Sequence, residues 1–390
     1  MFAVPTPEGT LNLSAAMGLL VAVLLVVMVY RVFRSRRLLQ LVHWKRFADA
    51  YKLKMLNPVE PHDAAIKGDY RGVPIEVKLG GGHTARPLQL CTLVYARHVG
   101  SVPPGLEIYN RGAVAGLTDA LRGTKAGEVS TGNPDLDKLI LLRAWDEDKT
   151  VETLSHPKVW DGLGQLFSFA DYVRVDERGV LLEKNGVLGD ELAAWVERAA
   201  VFSVNLCEAY EEPLVIFAKK HKLSLAGAGT PGERTVRGHF KGGRVVIVTG
   251  FDAAQTATRS TIKAAMPVAL PTGFRITRRK GEPDDVGILI ADKQLAAVLL
   301  VQGTNAVAIQ RLLRNPELKQ TLLQLFEVCP EPSVEGAWVS ATGPGIVCGD
   351  VEAQVDAVMG VAQTLAQAWL PLAAVLDKAR KTTPSGSPRV

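Results

Sequence analysis

The sequence has few of the residues from which metal and redox sites are built. Its 390 residues include 4 cysteines and 7 histidines. No two cysteines form a CxxC pair, and the histidines are scattered without HExxH or HxH spacing. A disulfide scaffold or a zinc site is therefore not indicated, and we expect the cysteines to be reduced and buried as small apolar residues.

Catalytic and cofactor motifs are also missing. The chain has no GxSxG elbow and no Walker sequence. The glycine-rich stretch at 80–87 ends at Pro87 and is followed by a β-rich run instead of a helix. We therefore interpret it as a flexible connection and not as a phosphate loop. Asp135 and Asp137 would share a face in a strand and could hold a metal, but an Asx-type turn explains them better. The sequence predicts no catalytic, cofactor-binding or metal-binding residue.

Acidic residues are almost absent from the first 46 positions, where Glu8 stands alone. Residues 13–30 form an uncharged run whose helix would be ~27 Å long, close to the hydrocarbon thickness of a bilayer. Because no cation precedes the run and arginines follow it directly, we predict an uncleaved transmembrane helix instead of a signal peptide.

A basic segment at 31–44 follows the predicted span. The positive-inside rule places residues 1–12 outside the cytoplasm and everything after Tyr30 inside it. The chain would then be anchored to the inner membrane by a single pass. Five residues are expected at the membrane interface: Arg31, Arg34, Arg36, Arg37 and Trp44. The cations at 31–46 together with Glu8 account for the whole net charge of +5. The remainder is formally neutral, so a nucleic acid partner is not expected.

The region after the anchor contains an internal duplication. Residues 47–53 recur at 217–223, and 66–77 recur at the same offset of 170. Two further collinear matches pair residues 103–108 with 271–276 and residues 156–167 with 315–326. A third match pairs the apolar positions of the helix that ends each copy. Those positions are Leu192, Trp195, Val196, Ala199, Phe202 and Leu206 in the first copy, and Val355, Val358, Met359, Ala362, Leu365 and Trp369 in the second.

These patterns predict an α+β fold with one N-terminal transmembrane helix and two similar domains, at 45–210 and 213–372. Each domain should have a mainly antiparallel sheet and end in a long helix. The sequences around 137–144 and 295–303 are interpreted as buried strands, 113–131 as an extra surface loop of the first copy, and 376–390 as a disordered tail.

A single anchor followed by a glycine-containing hairpin at Gly68–Gly72 and a TG-x-P-x-x-D segment at Thr131–Asp137 is similar to bacterial membrane proteins. That resemblance implies a location and no activity. The leading hypothesis is a non-enzymatic binding or scaffolding module whose partners are the lipid bilayer and another protein. The alternative is an enzyme or small-ligand sensor with a site between the two copies.

Overall fold

A computed structural model of the protein describes residues 8–57, 64–81, 90–111, 127–227, 233–251, 258–268, 270, 273–281, 287–345 and 350–382. Backbone alone is described for residues 8–16, 29–30, 33–38, 40, 251, 258 and 375–382. The predicted connection after Gly81 and most of the predicted extra loop, residues 112–126, lie outside the described residues.

The described helices are labelled in chain order. They are α1 (Glu8–Ala50), α2 (Pro134–Leu139), α3 (Glu147–Leu154), α4 (Pro157–Phe169), α5 (Leu192–Lys220), α6 (Lys293–Val298), α7 (Ala306–Leu313), α8 (Pro316–Val328) and α9 (Val351–Thr382).

The described strands fall into two groups along the chain. The first group is β1 (Lys54–Leu56), β2 (Ala65–Tyr70), β3 (Val73–Gly81), β4 (Leu90–Arg97), β5 (Glu107–Asn110), β6 (Gly127–Glu128), β7 (Ile140–Ala144), β8 (Tyr172–Asp176) and β9 (Gly179–Asn185). The second group is β10 (Ser224–Gly227), β11 (Arg234–Phe240), β12 (Gly243–Phe251), β13 (Thr258–Ala265), β14 (Arg275–Arg278), β15 (Leu299–Gln302), β16 (Glu331–Glu335) and β17 (Trp338–Pro344).

The protein is α+β with two antiparallel sheets, as the sequence predicted. The first sheet has the order β1-β2-β3-β4-β9-β8-β5-β7-β6, and the second has the order β10-β11-β12-β13-β17-β16-β14-β15. If β1 to β4 are matched with β10 to β13, and β5, β7, β8 and β9 with β14 to β17, the two orders are the same. The first sheet has β6 as an additional edge strand.

The chain forms two compact units. One comprises residues 1–97, 164–174 and 180–201, and the other comprises 98–163, 175–179 and 202–390.

Both sheets contain the hairpin that the glycine spacing predicted. Arg71 and Gly72 connect β2 to β3 with φ of 51° and 85°, and Lys241 and Gly242 connect β11 to β12 with φ of 49° and 82°. A two-residue turn with both φ values positive matches the right-handed twist of the strands, and glycine adopts such a φ without steric cost.

The runs predicted as strands at 137–144 and 295–303 are strands over only part of their length. Each begins within a short helix, α2 or α6, because Asn133 or Asp292 caps two free backbone N–H groups. The strand proper starts at Ile140 in one case and Leu299 in the other. A short apolar run does not by itself distinguish the two conformations.

The two long helices place their predicted apolar rows in the core. Leu192, Trp195 and Phe202 of α5 are at most 1% exposed. The row of α9 is buried as well, from Val355 to Trp369. The predicted junction at 211–213 is helical, since α5 continues through Pro213 to Lys220. Helix α9 likewise continues to Thr382, into the segment predicted as a disordered tail.

Candidate functional site

The N-terminal helix carries the largest exposed apolar surface among the described side chains. From Met17 to Met28 the bulky residues are 45% to 70% exposed, with Leu19 and Val26 near the upper limit. Helix α1 continues without interruption to Ala50. Its 43 residues are ~64 Å long at ~1.5 Å per residue.

By length and composition, one stretch of described residues would be long enough to cross a membrane, Val351–Ala374 of α9. More than half of that stretch is buried, as expected for a core helix. The apolar stretch of α1 with described side chains, Met17–Met28, is shorter. The predicted span at 13–30 extends beyond those side chains in both directions.

The C-terminal part of α1 is packed against the first compact unit, of which it is a part. Leu41, Trp44, Phe47 and Ala48 are at most 6% exposed. Trp44 follows Leu41 by three positions and precedes Ala48 by four, so these residues form one buried face of the helix. The Trp44 Nε1–H donates a 2.8 Å hydrogen bond to the carbonyl oxygen of Leu188. Although we expected Trp44 at the membrane interface, its indole is in the protein core. Arg31 is exposed, and the side chains of Arg34, Arg36 and Arg37 lie outside the description.

A compact turn joins α1 to β1. Lys52 has a φ of 56°, and the Leu53 N–H bonds to the Ala48 carbonyl oxygen at 2.8 Å. Gly68 lies directly against Leu53, because a Cβ added to Gly68 would be 3.0 Å from the Leu53 Cδ2. The turn after the helix is therefore held against β2 by the Leu53 side chain, which packs on the Gly68 backbone.

The same turn follows α5. Lys222 has a φ of 54°, and the Leu223 N–H bonds to the Ala218 carbonyl oxygen at 2.8 Å. A Cβ on Gly238 would be 2.8 Å from the Leu223 Cδ2. Each of these residues is 170 positions after its counterpart around the turn that follows α1.

Aromatic and charged side chains surround the first turn. The ring of Tyr70 lies 4.7 Å from that of Tyr51 and 5.9 Å from that of Phe47. The Tyr70 hydroxyl donates to Glu197, whose other oxygen accepts a 2.7 Å bond from Arg71. Burial, together with the bond to Glu197, raises the pKa of Tyr70 well above its ordinary value, so Tyr70 is a neutral hydrogen-bond donor.

The second turn has the same aromatic arrangement with different polar chemistry. His221 replaces Tyr51, and its ring is 4.8 Å from both Phe217 and Phe240. The His221 Nε2 is 3.3 Å from Glu352, which also pairs with Lys220 at 2.6 Å. Both clusters fasten a helix end to a hairpin, so their first role is structural.

The two aspartates weighed as metal ligands do not converge. Asp135 pairs with Lys138 at 3.1 Å, whereas Asp137 accepts hydrogen bonds from Ser130 and Thr131. Burial acts to raise the pKa of Asp137, but these hydrogen bonds outweigh it and hold the pKa below its ordinary value. The aspartate fixes the turn that precedes α2, and within the described ranges no three metal-binding side chains form a cluster.

An open cavity of about 630 Å³ adjoins this turn and is lined in part by Arg111, Lys138 and Gly132. Its cations are already paired, Arg111 with Glu128 at 2.6 Å and Lys138 with Asp135. The charges at this cavity are thus balanced, and the cavity is a solvated part of the surface.

A buried histidine in the loop after β4 was not singled out from the sequence. His98 is 2% exposed, and its two ring nitrogens lie 2.9 Å from the Ser203 Oγ and 3.0 Å from the Asp176 carbonyl oxygen. Burial lowers the pKa of His98 to about 4. Because Ser203 is itself 0% exposed, this histidine and serine connect a loop to α5 and are not open to a substrate.

The same loop contacts a buried glutamate of α5. Glu211 is 5% exposed and accepts bonds from the Ser101 N–H at 2.7 Å and from the Arg234 Nε at 3.0 Å. Burial raises the pKa of Glu211 despite these donors. The offset of 170 aligns Glu211 with the buried Leu41, a signal in the sequence that this position faces the core.

The described cysteines are buried, as expected. Cys91, Cys207 and Cys329 lie in the core and form no disulfide bonds with one another. Burial raises the pKa of Cys91 and Cys329 to about 11 and that of Cys207 to about 12. These thiols are protonated at neutral pH and unreactive.

No known protein family and no well-described protein matches the sequence. Among solved structures, the crystal structure of the mycobacterial trehalose monomycolate transport factor A, TtfA, is similar to part of this chain, with 15% identity. The similarity covers 41% of this chain and 94% of the TtfA chain. The TM-score of 0.28 is too low for that similarity to indicate a function.

Proposed function

We propose that the protein is a single-pass membrane protein whose duplicated α+β region serves as a non-enzymatic binding or scaffolding module in the cytoplasm. The observation that carries the proposal is the order of exposed apolar, basic and buried residues along α1. One unbroken helix has exposed apolar side chains at Met17–Met28, a run of arginines after them, and a buried face at Leu41 to Ala48. Such a helix joins a bilayer to a folded region without a flexible linker.

The arginines give the direction of insertion. Arg31, Arg34, Arg36 and Arg37 follow the apolar run, and no cation precedes it. Cations near a span remain on the cytoplasmic side and contact anionic headgroups. Trp44 is not part of this proposed interface because it is buried.

A tandem duplication is part of the proposal. It is supported by the matching strand orders of the two sheets and by the repeated turns, in which three positive-φ residues recur at an offset of 170. Helices α3, α4, α7 and α8 and strands β8, β9, β16 and β17 also recur, at an offset of 159.

Alkaline extraction of membranes tests the anchor. The double variant Leu20→Arg/Leu24→Arg puts two charges into the apolar run, each costing roughly 2.5–3.5 kcal/mol of insertion free energy at a helix centre. We expect the parent to stay in the membrane pellet and this variant to move to the supernatant.

A control on the same helix separates insertion from folding. Leu39→Arg/Val42→Arg also replaces two exposed apolar residues of α1, but outside the proposed span, and should remain in the pellet. If the parent itself were extracted, or both variants behaved alike, the anchor would be refuted.

A further inference from the structure

The outward face of the second sheet carries a cluster of cations that lack acidic partners among the described residues. Arg237 on β11, Arg244 on β12 and Lys263 on β13 are exposed, and His239 lies beside them on β11. The register pairs Arg237 with Val246 and Val246 with Lys263, and it pairs His239 with Arg244. All four side chains therefore lie on one side of the sheet.

The spacing of these cations follows from the sheet. Arg237 and Lys263 are two strands apart, which is ~10 Å, and Arg244 is ~8 Å from each at the level of the backbone. An extended peptide places the side chains of alternate residues ~7 Å apart. Carboxylates at alternate positions of an extended segment would therefore match the cluster.

The floor and edge of this face suit a protein partner. Thr235, Val248, Thr261 and Thr342 form a row of small half-exposed side chains across four strands. Trp338 is 37% exposed and pairs with Ala265, two residues from Lys263 on β13. Arginine and tryptophan are the residues most often responsible for affinity at protein interfaces.

The first sheet lacks this charge at the equivalent positions, which argues against a general solubility role. There Lys67 pairs with Glu76 at 3.1 Å, whereas the second sheet has Arg237 opposite Val246. At the other positions Asp69, Pro74 and Tyr95 stand where the second sheet has His239, Arg244 and Lys263. At these equivalent positions, only the second sheet has three cations without an acidic partner among the described residues.

We propose that this cationic face, defined by Arg237, His239, Arg244, Lys263 and Trp338, binds an extended acidic segment of a partner protein. The inference rests on the proposed binding function and gives it a surface and a partner chemistry. The excess positive charge, the spacing of the cations and the exposed tryptophan favour an acidic protein as the partner. A nucleic acid is less suited, because one aromatic residue does not provide a stacking platform for successive bases.

Fluorescence anisotropy of the full chain in nanodiscs of neutral phosphatidylcholine tests the proposal. The probe is a labelled ten-residue peptide with glutamate at alternate positions, and its matched probe has glutamine there. We expect the glutamate peptide to bind, to weaken as salt rises, and to bind at least about tenfold more tightly than the glutamine peptide.

Two triple variants with the same loss of charge locate the site. Arg237→Gln/Arg244→Gln/Lys263→Gln should weaken binding by at least about tenfold, because it removes the charge–charge contacts. Lys54→Gln/Lys67→Gln/Lys78→Gln alters exposed lysines of the first sheet and should leave binding within about twofold of the parent. Unchanged thermal melting of both variants would show that neither is misfolded.

Three results would overturn the proposal. They are equal weakening by both triple variants, tighter binding of a single-stranded oligonucleotide than of the glutamate peptide, and protection of β11 to β13 from hydrogen exchange by phosphatidylglycerol nanodiscs without any peptide binding. Alkaline extraction does not depend on these side chains, so a failure here leaves the membrane anchor standing, and a failure of the anchor leaves the peptide result standing.

Discussion

At the scale of single residues, the proposed duplication accounts for environments that composition does not. Trp44 has cations around it in the sequence, a context typical of a membrane interface, yet it is buried. The offset of 170 aligns Trp44 with Leu214 and Phe47 with Phe217, all of which are core residues. The repeat therefore contained the information that Trp44 faces the core. The offset of 168 likewise aligns His98 with the buried Met266, so the repeat also indicated that His98 faces the core. Its hydrogen-bond partners, 78 and 105 positions away, had no such signal.

The buried His98 predicts an acid-sensitive fold. Its pKa is about 4 in the folded chain and about 6.5 when unfolded, so the unfolded chain binds a proton first as pH falls. Stability is fully present above pH 6.5 and is lost between pH 6.5 and 4, by about 3 kcal/mol for this group.

Chemical unfolding of the detergent-solubilised chain across this pH range checks the prediction. His98→Gln keeps a polar side chain at the position and should have a flatter pH dependence, although it is less stable at pH 7. Identical slopes for the parent and the variant would show that His98 does not carry the effect.

At the scale of elements, periodicity identified long features and failed on short ones. The rows of α5 and α9 recur every three or four residues over four turns, and every residue of both rows is buried. In contrast, α2 and α6 have six residues each, too few to show a period, and their formation depends on the caps Asn133 and Asp292. The helical continuation through Pro213 was missed because proline usually marks a boundary.

Substitutions in the two rows test whether they support the core. Trp195 packs on Phe169 with ring centroids 4.4 Å apart and is 0% exposed, and Trp369 is 6% exposed. Trp195→Ala and Trp369→Ala should each lower the free energy of unfolding by roughly 3–5 kcal/mol.

A conservative variant distinguishes packing from hydrogen bonding. The Trp195 Nε1 is buried without a hydrogen-bond partner in the described structure, so Trp195→Phe loses packing but no bond and should cost less than Trp195→Ala. Denaturant titration measures all three variants. If both alanine variants melted like the parent, the rows would be interaction surfaces instead of core.

At the scale of the whole molecule, the sequence predicted an α+β fold with antiparallel sheets, and the structure confirms that class. The collinear repeats also anticipated which strands and helices have counterparts. The cationic face of the second sheet was not foreseen, because Arg237, Arg244 and Lys263 are up to 26 residues apart in the sequence. Only strand register brings them together.

The central claim is that α1 anchors the chain with everything after Tyr30 in the cytoplasm. Labelling of intact cells with a membrane-impermeant maleimide tests it most directly. Cys91, Cys207 and Cys329 are buried, so Cys348→Ser gives a background with little reactivity of its own. In that background we predict that a cysteine at Thr6 is labelled on intact cells, whereas one at Ser385 is labelled only after the cells are lysed. Labelling of Ser385→Cys on intact cells, with Thr6→Cys protected, would contradict the account.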